Sequence, residues 1–184
     1  MKSVNIPKFF HEVFGKKSTV LELFLSISFS IAMSIFLLTF TYLEWKDFET
    51  WKIILIMLLA LDITGGVIAN FTLSTNNHYK AHPKARLIFI LMHVQPMLLA
   101  LLSWDYFLPC SYVWAYTVVS SLIVNALIKH PAQKTIAAVL AAIGSCTTLI
   151  FFTYIPKFLL IILLLYIIKV VFSFAVDHYS QREV

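Results

Sequence analysis

Asp62 stands in the middle of an apolar stretch, and the residues spaced around it are those able to do chemistry. Gly66 and Asn70 follow it at four-residue intervals, so on a helix the three share one face about 12 Å long. The next apolar stretch carries Arg86 and His93, again on one face, followed by Gln95 and Pro96. An ionisable side chain at membrane depth costs on the order of 2.5–3.5 kcal/mol, so such groups tend to persist where they do something. An aspartate and a histidine in one low-dielectric site suit proton transfer. Asp62 and His93 are therefore the expected catalytic base and acid. Arg86 (for an anionic headgroup), Asn70, Gly66 and Asn125 are the expected substrate-binding residues. Gly65-Gly66 clears space beside Asp62 for a ligand, water or another helix. Pro96 leaves a carbonyl without its usual donor one turn beyond His93. The plainer alternative is that Asp62 accepts a hydrogen bond from Arg86 or His93 and only joins two helices.

Histidines form a second group. His82-Pro83 and His130-Pro131 each open a segment, and each follows an asparagine, Asn70 and Asn125 respectively. His78, His178, Asp177 and Glu22 belong to the same rim. Neutral imidazoles and carboxylates are common donors to zinc or iron, which makes His82 and His130 candidate ligands of a divalent metal, the only cofactor suggested. The spacing is unspecific, with no HExxH, and solvated histidines would look the same. GxSxG, GxGxxG and Walker patterns are absent, and Cys110 and Cys146 are placed too differently to suggest a disulfide. Lys169 falls near the end of the last apolar stretch, where its ammonium is expected to snorkel to headgroups.

The elements that must position these groups are read from hydropathy. With 60% hydrophobic and 12% charged residues in 184 and a mean hydropathy of +0.88, the chain has too much apolar surface for a water-soluble domain. The expected fold is all-α: a polytopic bundle of six transmembrane helices, at roughly 19–43, 51–71, 84–103, 111–128, to about 153 and to about 176. The domains follow as an interfacial segment 1–18, the bundle 19–176 and a cytoplasmic tail 177–184. Residues 1–18 read as an amphipathic surface segment or a basic tail, and 74–84 as a polar turn. Thr19 and Glu22 have capping-box spacing. Ser26, Ser30 and Ser34, and on the fifth helix Ala137, Ala141 and Ser145, are small-residue stripes for close helix contact, within the chain or with a membrane partner.

The net charge of +5 is spread over short loops rather than gathered on a nucleic-acid face, so no nucleic-acid partner is expected. With six spans, ten Lys and Arg fall on the side of the termini and three on the other. The positive-inside rule then makes both termini cytoplasmic in a multi-pass protein of a bacterial-type plasma membrane. Trp45, Trp51, Trp104 and Trp114 fall toward the opposite interface.

The arrangement of Asp62 and His93 with His82 or His130 is similar in layout to membrane hydrolases of the alkaline-ceramidase and adiponectin-receptor group. These gather an aspartate and histidines near the cytoplasmic end of a helical bundle. This chain departs from them in having six spans rather than seven and in lacking their serine and histidine motifs, so the likeness assigns no family. Three readings follow. One is an enzyme acting on a lipid or amphipathic substrate by acid–base or metal-assisted chemistry. The others are a small-solute or proton-coupled transporter, and a non-catalytic membrane partner.

Overall fold

The computed structural model describes residues 2–180, so the end of the expected tail, residues 181–184, lies outside the described residues. The body is all-helical, and six helices are long and apolar enough to cross a membrane: Val20–Phe40, Thr50–Ala69, Pro83–Leu102, Trp104–Ala126, Gln133–Phe151 and Lys157–Phe174, here spans 1 to 6. Span 6 is the central one. Its apolar window is 61% buried, against 17% for spans 1 and 5. Phe158, Leu159, Ile162, Leu163, Tyr166, Ile167, Val170 and Val171 are fully enclosed by spans 2, 4 and 5. Span 1 packs chiefly on span 2 and leaves its other flank exposed.

Local chemistry explains the ends of these helices. The Thr19 side chain accepts from the Glu22 N–H, and the Glu22 carboxylate accepts from the Thr19 N–H at 2.8 Å, completing the expected capping box. At the far end Glu44 accepts from the Phe158 N–H at 3.0 Å and so caps span 6. Parts of both small-residue stripes pack within the bundle. Ser30 donates to the Leu61 carbonyl at 2.7 Å, and Ser34 lies 3.3 Å from the Thr64 hydroxyl. On span 5, Ala137 and Ala141 are buried, and Gly144 lies against the Tyr116 ring.

Three segments differ from the sequence expectation. Residues 74–84 are not an open turn, because Leu73–Ala81 is a helix capped by the Thr72 hydroxyl. Its Thr75, Asn76 and Tyr79 face inward. The helix ends at His82 because the residue before a proline is pushed out of the helical region.

The N-terminal segment is folded back on itself as a closed loop, rather than a free tail. Strand β1 (Ser3–Asn5) pairs antiparallel with β2 (Lys17–Thr19), with Val4 opposite Ser18. A short helix, His11–Phe14, lies between them. Gly15 makes the turn at φ 68°, where a side chain would be strained and would also strike Ser74.

Span 3 is the third case, since it breaks after Met92 and resumes at Gln95. Pro96 has no N–H for the Met92 carbonyl and its ring crowds that carbonyl. The Met97 N–H turns to the Val94 carbonyl, and the His93 carbonyl it would have met accepts instead from the buried Tyr166 hydroxyl.

Span 6 ends in a wider π-helical turn, Ile168–Phe174. Carbonyls at such an end need outside donors. Arg86 Nη2 serves Phe174 and Ala175 at 3.2 and 2.7 Å, and Gln133 Nε2 serves Ala175 at 3.2 Å. His178 Nε2 lies 3.0 and 3.1 Å from the carbonyls of Phe172 and Ser173.

Two outcomes follow. Gly144→Val forces the Tyr116 ring away and overpacks spans 4 and 5; thermal unfolding in detergent should show a loss of about 1–3 kcal/mol. Burial lowers the pKa of His178 below its ordinary 6.5, with Lys134 adding to the effect against its carbonyl bonds and Asp177. A lowered histidine pKa means stability that is full above 6.5 and is lost as pH falls through that value toward the folded one. The melting point should therefore drop on acidification from pH about 7.5 to about 5, and His178→Gln should flatten part of that drop.

Candidate functional site

Gly66 is the opening through which the site is assembled. A Cβ there would overlap the Lys169 side chain, so the bare glycine lets that lysine cross from span 6 to span 2. Lys169 Nζ then lies 2.8 Å from Asp62 Oδ2, with the lysine side chain 3% exposed and the aspartate 53%. Gln95 Nε2 donates to the same oxygen at 3.0 Å. Asn70 Nδ2 reaches the Lys169 carbonyl at 3.4 Å, which holds the start of the π turn against span 2. An ammonium in an apolar bundle needs such a partner, and here it has a carboxylate on the neighbouring helix.

These groups border a cavity of about 330 Å³. Ser26, Ile27, Ser30 and Ile31 of span 1 and Phe89, His93 and Gln95 of span 3 form its flanks, and Gly65, Gly66 and Lys169 form its floor. Val13 and Phe14 close one end. The half-exposed Asp62 lies at its mouth.

Among the polar atoms of the lining left open, acceptors are prominent, beside the Ser26 hydroxyl and the Lys169 ammonium, which can also donate. Asp62 Oδ1 has no partner among the described residues, since both donors use Oδ2. Gln95 Oε1 and Ser26 Oγ are buried without partners. His93 Nδ1 is held by the Phe89 carbonyl, so it carries the proton and Nε2 keeps the lone pair in the neutral ring. A molecule that donates hydrogen bonds would satisfy this lining better than an anion.

The residues expected at the site divide into two groups. Asp62, Gly66, Asn70 and His93 all line the cavity. Arg86 and Asn125 do not, and line a separate groove near the start of span 3 and the end of span 4. The Asp62–Arg86 contact expected from helical phase does not form, because Arg86 is turned to the carbonyls of span 6. His82 and His130 are not brought to His93 as joint ligands: His82 Nδ1 is bonded to the His78 carbonyl at 2.7 Å, and His130 Nδ1 accepts from the Ala132 N–H at 3.1 Å. Among the described residues no three His, Cys, Asp or Glu side chains are gathered to hold a metal ion.

Lys169 is the residue that sequence reasoning placed wrongly. It points inward to Asp62 rather than out to headgroups. The one available signal was Gly66, whose use is visible only when span 6 lies against it.

No family model, curated protein or solved structure matches the chain. Its class is therefore defined by its own features: an all-helical bundle with six helices of membrane-crossing length and a polar, ion-paired cavity among them.

A double-mutant cycle tests the ion pair. Lys169→Met and Asp62→Asn should each lower the unfolding midpoint. The double variant should recover part of the loss, with a coupling of about 1–3 kcal/mol reduced by the exposure of Asp62.

Proposed function

We propose that this is a multi-pass protein of a bacterial-type plasma membrane, with both ends cytoplasmic, that binds an amphipathic molecule within the bilayer. The molecule carries a hydroxyl or amine head. The head lies against Asp62 Oδ1, Gln95 Oε1 and Ser26, and His93 Nε2 accepts a proton from it in acid–base chemistry. The apolar part lies along Ile27, Ile31 and Leu61, which line the same cavity. Substrates can enter sideways from lipid, because span 1 packs chiefly on span 2. Ten basic residues on the side of the termini against three on the other support the orientation.

The observation that carries this reading is the acceptor-rich lining around one ion-paired carboxylate. Asp62 Oδ2 is taken by two donors and Oδ1 receives the head, which leaves His93 as the base. A carrier is the second reading, favoured by the break in span 3 beside the cavity, since interrupted helices are common at transporter sites.

Native mass spectrometry of the protein from nanodiscs doped with a monoacylglycerol, a long-chain amine or the matching fatty acid tests the binding. The first two should be retained about tenfold better than the acid. Retention should fall in both Asp62→Asn and Gln95→Leu. Preference for the fatty acid, or equal retention by both variants, overturns the reading. If binding holds, loss of flux across proteoliposomes with His93→Gln marks the carrier, and loss of product formation marks the enzyme.

A further inference from the structure

A second pocket shares none of its lining residues with the cavity. It is a groove of about 1070 Å³ near the start of span 3 and the ends of spans 4 and 6, bordered by Lys80, Arg86, Asn125, Lys129 and Asp177. Leu87, Ile128 and Pro131 supply an apolar wall.

Its charges are arranged unequally. Arg86 is 2% exposed and is fixed in place by its bonds to the carbonyls of Phe174 and Ala175, while its Nε is buried without a partner. Lys129, on the rim, has no ion-pair partner among the described residues. Lys80 reaches Asp177 at 3.6 Å, and Asp177 also accepts from Asn76 at 3.0 Å. Three cations thus face one carboxylate that is already engaged.

A fixed guanidinium and two exposed ammonium groups lining one groove suit phosphate recognition, because the planar fork sets geometry and the lysines add charge. The apolar wall runs beside it where a diacylglycerol moiety would lie. Lipid carboxylates lack the third acceptor that such a trio of donors can use.

We infer that this groove binds a phosphoryl group, carried by an anionic phospholipid or free in solution, through Arg86, Lys80 and Lys129. The site is independent of the cavity, and its occupant differs in charge from the hydrogen-bond donor assigned there.

The full chain, purified in phosphatidylcholine nanodiscs doped with phosphatidylglycerol, is compared with Lys129→Gln, which alters one exposed side chain, and with Lys80→Gln/Lys129→Gln, which also removes the Lys80–Asp177 pair. Native mass spectrometry should show phosphatidylglycerol retained about tenfold over phosphatidylcholine by the parent protein, and that preference should fall at least about fivefold in the double variant. In a second arm, inorganic phosphate and pyrophosphate are titrated while thermal unfolding is followed. A rise in midpoint confined to the parent protein identifies a soluble source instead of a lipid. Asp62→Asn should leave either response intact, which separates failure of this site from failure of the cavity. The inference is overturned if neither probe is preferred, or if the variants respond as the parent protein does.

Discussion

An ammonium enclosed by aliphatic side chains must find a counter-charge, and much of this molecule follows from how Lys169 finds one. Span 6 is its most buried helix, so Lys169 cannot reach water along its own face. The route it takes is sideways through the gap at Gly66 to a carboxylate on span 2. That crossing fixes the depth of span 6 against span 2. It also places the end of the carboxylate where Gln95 can reach it, beyond the break in span 3. Three helices are thereby tied at one point. Because Asp62 is half exposed, the tie stays open to exchange in a way a fully enclosed pair would not.

The backbone at the same end of span 6 obeys a similar rule. A π turn widens the helix and leaves carbonyls aimed outward, and each must be met. Arg86, Gln133, Asn70 and His178 meet them from four different parts of the chain. Side chains that look functional in isolation are thus partly structural. Arg86 does both: its Nη2 closes the helix while the rest of the guanidinium borders the groove.

The spans were legible because twenty apolar residues have few other uses, and Asp62 was legible because it breaks such a run. Gly66, Asn70 and His93 were assigned to its site by helical phase, and the cavity contains all of them. Phase failed for Arg86, since it says which residues share a face but not which neighbour the face meets. The break at His93 also resets the phase along span 3. Lys169 was hidden because its partner lies more than a hundred residues away in sequence, and no local pattern announces a π turn. The helix Leu73–Ala81 looked like a turn because its asparagines and histidines favour loops, yet docking of Asn76 and Tyr79 outweighs that propensity. The pairing of residues 3–5 with 17–19 was too short to show alternation.

The helix Leu73–Ala81 is also a seam. Thr75 and Tyr79 hold the Val13 and Glu12 carbonyls, while Asn76 holds Asp177 and its side-chain oxygen accepts from His178. Along the chain, Val13 and Glu12 precede their partners on this helix by 62 and 67 positions, and Asp177 and His178 follow theirs by 101 and 102. One short helix therefore joins two segments that lie far apart in sequence, and the Val13 and Phe14 that line the cavity are anchored through it.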